Sequence, residues 1–469
     1  MTRPRLEMAE VIRSCYDDFL DQYGAGLTPQ QRRALEDLAR CRTAALGGHV
    51  LGCPECGYQQ IAYNSCRNRH CPKCQATAAA RWLEAQAADL LPVPYFHVVF
   101  TLPSALNLIA FENPRSVYNL LLRTVAATLL EVAADPQHLG ARIGMLSVLH
   151  TWGQNLQLHP HVHCVVPGGG LSPDGTRWIG CPSDFLLPER VLSRVFRGKF
   201  LAGLHEAFQH DRLRFSGHCA ELAAAEEFDR LLSQTVQTDW VVHAKPPFGG
   251  PQQVLRYLAR YTHRVAISNS RLLDLEDGQV SFTWKDYAHD GCQRMMTLSA
   301  MELVRRFLMH VLPASFVRIR HYGLLSNRQR PEKVTLCRQL LGAPSAVGPD
   351  HPSTAAVPDR GSPPHAVSEA SPVSDQPAEV SAPSSGSAQG DPVVTAPSPK
   401  GIAGCQSEDG KNDASLGYGA PDRVRPVTPT RVCPNCGAGR MIVLQQFPPP
   451  ALGQEIPDRS VWALIFDSS

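Results

Sequence analysis

The sequence predicts an α+β protein. Three observations carry that prediction. A helical N-terminal stretch runs into a cysteine-rich block, a middle region mixes short apolar strands with helical segments, and a long C-terminal stretch is rich in Pro, Ser and Ala. At 469 residues the chain has room for two or three domains of roughly 150 residues each. Lys plus Arg (45) nearly balances Asp plus Glu (43), so overall charge singles out no partner. A local excess lies between Pro251 and Arg330, where 12 basic residues stand against 6 acidic ones. Such a region suits a nucleic-acid partner, and equally an ordinary solvated surface.

No run of 18 apolar residues is present, so no membrane span is expected. Met1-Thr2-Arg3-Pro4-Arg5-Leu6-Glu7 lacks the apolar stretch of a signal peptide. The expected compartment is therefore the reducing cytoplasm, where clustered cysteines read as metal ligands before disulfides.

Taken in order, residues 1 to about 45 read as helical, with Thr28-Pro29 as N-cap and first-turn pair. Gln75 to Leu90 is Ala-rich and helical by propensity. Tyr95 to Leu102 reads as a strand, and Ala105 to Ala134 as helix with a break near Pro114. Ile143–His150 and Leu156–Val166 read as strands joined by Trp152-Gly153-Gln154-Asn155, and Trp178 marks another short strand. A helix is expected over Pro188–His210, a strand at Trp240–Val242 and a helix over Pro251–Tyr261. Short strands follow at Val265–Ile267, Val280–Trp284 and Met295–Leu298, then a helix at Met301–His310 and a strand at Val317–Arg320. Ala343 to Thr430 holds 15 of the 39 prolines and one aromatic, Tyr418. Such a segment buries too little apolar surface to offset its chain entropy and is expected to be a disordered linker.

The cysteine block carries two Cys-x-x-Cys knuckles, Cys53/Cys56 and Cys71/Cys74, with fourteen residues between them. Each knuckle turns two thiolates towards one point, and two knuckles make a tetrahedral zinc site. Cys66 and His70 are further ligand types in the block, free to replace a knuckle cysteine, to build a second site or to do neither. Most sites of this kind staple a small module. Arg67, Arg69, Lys73 and Arg81 flank this one, which favours a module that touches DNA. Cys433/Cys436 is a third knuckle, which supplies only two ligands and needs partners from elsewhere.

In Leu158-His159-Pro160-His161-Val162-His163, side-chain alternation puts His159, His161 and His163 on one face of a strand. Three imidazoles at period two within an apolar strand are hard to explain as packing and point to a divalent cation. His161 and His163 are the leading ligands, and the third is His159 or a residue of the Gln154-Asn155 turn. Pro160 removes a ladder donor, so this part of the strand is expected at an edge or irregular. Further on, Tyr257 and Tyr261 stand one helical turn apart, beside a stripe of Arg256, Arg260 and Arg264. Aromatics at this spacing are more often core. The arginines and the upstream histidines favour nucleophilic tyrosines beside phosphate-binding side chains. Arg318, Arg320, His321 and Arg328 extend a possible DNA path on charge alone.

As a set, these motifs resemble the HUH endonuclease superfamily, and within it the two-tyrosine bacterial transposases of the insertion sequence ninety-one family. The stretches from His159 to Gly170 and from Tyr257 to Asn269 look like that family's signatures, with the zinc block ahead of them in the same order. The resemblance covers roughly residues 10 to 340. It implies a nuclease domain with a central antiparallel sheet and packed helices, His161 and His163 as ligands of magnesium or manganese, and Tyr257 and Tyr261 as nucleophiles. It further implies single-stranded DNA at mobile-element ends, and a target DNA, as substrates of a rolling-circle reaction. The expected organisation is a helical and zinc-binding domain over 1–90, the nuclease domain over 91–340, the linker over 343–430 and a short tail over 431–469. Rival readings are a plasmid or phage replication initiator with the same chemistry, a zinc-dependent DNA-binding regulator without catalysis, and a histidine-metal hydrolase of small substrates.

Overall fold

The computed structural model describes residues 6–75, 82, 89–248, 265–286, 289, 291–342 and 432–450. The expected helix over Pro251–Tyr261, with Tyr257, Tyr261, Arg256, Arg260 and Arg264, lies outside the described residues. So does the expected linker over 343–430, and nearly all of the Ala-rich stretch after Gln75.

Helices α1 (Met8–Ser14), α2 (Tyr16–Tyr23) and α3 (Pro29–Arg40) open the chain. The last starts where Thr28-Pro29 predicts. Thr28 Oγ1 accepts from the Gln31 N–H at 3.3 Å, and Gln31 Oε1 accepts from the Thr28 N–H at 2.9 Å, so two otherwise orphaned donors are satisfied reciprocally. Strands β1 (Gly48–Gly52), β2 (Gln59–Tyr63) and β3 (Tyr95–Thr101) follow, then α4 (Asn107–Glu112) and α5 (Pro114–Ala134). Next come β4 (Gly144–Trp152), β5 (Leu158–Pro167), β6 (Gly169–Leu171), β7 (Trp178–Gly180), α6 (Glu189–Gln209), α7 (Ala225–Gln237) and β8 (Val242–Phe248). The remainder is β9 (Leu272–Glu276), β10 (Gln279–Asp286), β11 (Cys292–Ser299), α8 (Ala300–Leu308), β12 (Ile319–Gly323), α9 (Arg330–Leu340) and β13 (Ile442–Phe447).

The fold is α+β. Its central sheet has five strands in the order β12-β4-β5-β3-β8, and every pairing is antiparallel. One face carries Phe96, Val98, Phe100, Val162, Cys164 and Val166, packed on α5 and α6 through residues such as Leu121, Val125, Phe196 and Phe200. By composition α5 is long and apolar enough to cross a membrane, but it is the main core helix here, with Val117, Leu121, Leu122, Val125 and Leu129 all buried. The opposite face packs Tyr95, Leu146, Val148 and Val165 against Leu324, Leu325 and Val334 and Cys337 of α9. The histidines stand on this second face, towards the other end of the strands.

A second core joins distant parts of the chain. Met8, Val11 and Ile12 of α1 and Leu35 and Leu38 of α3 pack with Leu303 and Phe307 of α8 and Phe282 of β10, the middle strand of the β11-β10-β9 sheet. A third sheet has the order β13-β1-β2, so its outer strand comes from the C-terminal tail.

Several expectations are corrected. Val265–Ile267 forms no strand; its three side chains are buried by packing, which a short apolar run allows as readily as pairing does. The strand expected at Trp240 starts at Val242 and continues through Pro246 and Pro247, tolerated because β8 is at the sheet edge. Pro160 lies in a central strand, not an edge one. The irregular half of that expectation holds, since the β4–β5 register shifts between His150 and Trp152, beside the missing proline donor. Strands β1, β2, β6, β9 and β13 and helices α7 and α9 add to the expected elements.

Candidate active site and metal centres

Two cysteine quartets are present among the described residues, and neither has the membership the knuckle spacing predicts. The first is Cys41, Cys66, Cys71 and Cys74. Cys41 caps α3, Cys66 leaves the loop after β2, and Cys71 and Cys74 bracket a tight turn closed by Gln75 N–H on Cys71 O at 3.0 Å. The sulfurs lie 3.8 Å (Cys41–Cys74), 3.7 Å (Cys66–Cys74) and 3.6 Å (Cys41–Cys71) apart. A tetrahedral ion about 2.3 Å from each sulfur sets sulfur–sulfur edges of about 3.8 Å, so the quartet fits zinc. Contacts from Cys66 and then Cys71 hold the Cys41 thiol down to about 7, while contact with Cys41 first of all pushes Cys66 up. Four thiols this close share protons, and a dication lets all of them ionise.

The second quartet is Cys53, Cys56, Cys433 and Cys436. Cys53 Sγ is 3.8 Å from Cys436 Sγ, and Cys56 Sγ is 3.7 Å from Cys433 Sγ. The two knuckles fold alike. Gly57 N–H donates to Cys53 O at 2.9 Å, and Gly437 N–H donates to Cys433 O at 3.0 Å. The backbone N–H groups of Gly439 and Ala438 bring Cys436 down to about 6.

Cys53 and Cys56 therefore do not join Cys71 and Cys74. Strand β2 and the loop after it separate the knuckles, and each finds partners elsewhere. Cys66 is a ligand candidate, and His70 is not. Its Nε2 accepts from Leu312 N–H at 3.2 Å and its Nδ1 faces Asn68 Oδ1 at 3.1 Å, while burial, then the Arg69 charge, lowers it to about 3. Two of the flanking basic residues also face inward: Arg69 donates to Phe316 O at 2.7 Å, and Lys73 pairs with Glu7 at 2.6 Å. Arg318, expected on a DNA path, is buried.

On the second face of the central sheet, His150, His161 and His163 present ring nitrogens that all lie within 4.8 Å of one another. His161 and His163 alternate along β5 as expected. The third member comes from neither expected source: His150 sits on β4 directly across from His161. His159 is exposed and outside the group, and Asn155 Oδ1 accepts from Gln157 N–H at 3.2 Å.

The surroundings orient these rings. His161 Nδ1 donates to the His159 carbonyl at 2.6 Å, which makes Nε2 the acceptor nitrogen of that ring. His163 Nδ1 is 2.8 Å from Nε2 of His97, a buried residue of β3 that the motif reading missed. Burial above all, and then Lys245, lowers His97 to about 3, so it stays neutral. The β4–β5 turn is braced from the second core. Arg271 Nη2 donates to Gln154 O at 2.5 Å, Arg306 Nη1 to Asn155 O at 3.2 Å, and His310 Nε2 contacts Leu156 O at 3.0 Å. Three imidazoles converging on one braced hairpin are a donor set of the kind that can hold a divalent cation.

Residues 11–102 match the family described as "Transposase zinc-binding domain", and residues 144–333 match the family described as "Putative transposase". The chain is 55% identical over 342 residues to "Putative transposase y4qJ" of Sinorhizobium fredii, an alignment covering 73% of this chain and 86% of that protein. It is 28% identical over 330 residues to "Transposase for insertion sequence element IS801" of Pseudomonas savastanoi pv. phaseolicola, covering 67% and 74% of the two. No solved structure matches the chain. The first cysteine quartet lies inside the zinc-binding match, and the histidine group lies inside the other.

Proposed function

The chain belongs to the transposase family of insertion sequence ninety-one, and we propose that it acts on DNA by opening one strand with a tyrosine nucleophile. The observation that carries this reading is the convergence of His150, His161 and His163 on adjacent strands. A divalent cation held by these imidazoles supplies Lewis-acid polarisation of the scissile phosphate. Three nitrogen donors suit manganese better than magnesium, which prefers oxygen ligands. His97 and the His159 carbonyl fix the ring orientations of His163 and His161.

Tyr257 or Tyr261 is the nucleophile. Its oxygen bonds to phosphorus as the bond from phosphorus to the 3′ oxygen breaks. The tyrosine gives up its proton, the 3′ oxygen leaves as a hydroxyl, and the 5′ phosphate remains on the tyrosine. Arg256, Arg260 and Arg264 neutralise phosphate charge. The second tyrosine repeats the step on another strand. Attack of a 3′ hydroxyl on a phosphotyrosine then restores a phosphodiester and frees the tyrosine, as rolling-circle transposition requires. The substrates are single-stranded DNA at element ends and at the target.

The test is a denaturing-gel assay with end-labelled single-stranded oligonucleotides of the element ends, with manganese, with magnesium and with EDTA. The expected product is a metal-dependent protein adduct on the 5′ phosphate of the fragment 3′ to the cut. Tyr257→Phe with Tyr261→Phe abolishes the adduct while DNA binding persists. Cleavage retained in the double variant overturns the tyrosine assignment.

A further inference from the structure

We infer that Cys53, Cys56, Cys433 and Cys436 bind a second structural zinc ion, and that this ion fastens the C-terminal tail onto the N-terminal module. The site lies half outside the segment that matches a zinc-binding family, and its two halves stand 377 residues apart between Cys56 and Cys433. The inference is independent of the tyrosine chemistry.

The four sulfurs have the spacing of a tetrahedral tetrathiolate site, and each knuckle has the same turn, with a glycine at positive φ just after it (Gly57, +72°; Gly437, +68°). Gly439 N–H donates to Cys436 Sγ at 3.4 Å and Asn435 Nδ2 donates to Cys56 Sγ at 3.6 Å, so one sulfur of each knuckle is held by a donor outside the quartet. Among the described residues, few contacts besides the four sulfurs hold the tail. Its core against the N-terminal module is Leu51, Cys53, Cys433 and Met441, flanked by Tyr58, Ala62 and Val443, while Ile442 and Leu444 remain exposed. Strand β13 adds a ladder to β1, from Gly48↔Phe447 to Gly52↔Ile442, and Phe447 meets Tyr63 edge-on, a small set of contacts to hold a segment by itself. Metal binding and docking are then one equilibrium. The interface is shaped for close approach: a methyl group at Gly439 would overlap Cys53 Sγ, so the tail backbone passes where only glycine fits.

The chain therefore carries two zinc ions with different jobs. The Cys41 quartet braces helices within the N-terminal segment, whereas the Cys53 quartet is a clasp between the chain's two ends. Removing the clasp zinc frees the tail and uncovers the β1 edge.

The experiment uses the full chain with a site-specific protease sequence inserted after Lys400, cut after purification in zinc. The expected result is two zinc ions per chain by native mass spectrometry, with the C-terminal fragment co-eluting after cleavage. Cys433→Ser with Cys436→Ser is expected to lower the count to one and to release the fragment, while the circular dichroism of the large fragment stays unchanged. A count that does not fall by one in the double variant overturns the proposal. So does a fragment that dissociates from the unsubstituted protein in zinc, or one that stays bound in the double variant.

Discussion

His97 Nε2 lies 2.8 Å from His163 Nδ1, with both residues buried on the same face of the central sheet. Antiparallel register explains the meeting. His97 is opposite Val165 and His163 is opposite Val99, so the two histidines are diagonal neighbours across the β3–β5 ladder. In a neutral pair one ring donates to the other, which fixes the tautomer of His163 and the nitrogen it offers to a cation. His97→Leu is expected to weaken manganese-dependent cleavage by raising the manganese requirement about 10- to 100-fold. His97→Gln keeps a hydrogen-bonding group and is expected to recover part of the loss. A titration of cleavage rate against manganese separates the two outcomes: an unchanged metal requirement in His97→Leu excludes this role.

The histidine group makes an asymmetric prediction about His150 and His159. His150→Ala, like His161→Ala or His163→Ala, removes a ring from the proposed cation site and is expected to cost about 10³-fold in cleavage, several kcal/mol of charge stabilisation. His159→Ala is expected to stay within a few-fold of the parent, because its backbone carbonyl, not its ring, holds His161. Single-turnover rates on one oligonucleotide decide between them, and equal losses at 150 and 159 contradict the geometry.

Cys41, which the sequence reading did not single out, and His70, which it did, should part in the same way. Cys41→Ser is expected to remove a zinc ion and to lower the melting temperature as much as Cys71→Ser does. His70→Ala is expected to leave zinc content unchanged and to cost about 1–3 kcal/mol, because it orphans the Leu312 N–H. Zinc analysis alongside thermal unfolding distinguishes a ligand from a buried acceptor.

Acid stability should depend on His310. The residue is buried between Thr151 and Leu156, and desolvation brings its ring down from 6.5 to about 4. The unfolded chain therefore takes up a proton near 6.5 that the folded chain refuses until about 4, so stability falls as pH drops through that window. The group's share is on the order of 3 kcal/mol at most. His310→Asn is expected to flatten the pH dependence of unfolding between pH 6.5 and 4, relative to the parent. An identical slope in the two proteins contradicts a buried neutral imidazole at this position.

Local patterns were enough to reveal much of this protein from sequence. The Thr28-Pro29 cap, the strand at Tyr95, the two strands around Gln154 and the alternation of His161 with His163 are encoded within a few residues of each other. So are the cysteine knuckles, because a Cys-x-x-Cys turn is built from its own backbone. What the sequence did not disclose was which distant groups meet. Period two places His161 and His163 on one face, but only the β4–β5 register puts His150 across from them, and only the β3–β5 register brings His97 behind. Knuckle spacing predicts zinc, but the choice of partners for Cys53 and Cys56 was decided by the return of β13 to β1, hundreds of residues away. A thiolate's chemistry is local, whereas the fourfold convergence that holds a metal is a property of chain topology.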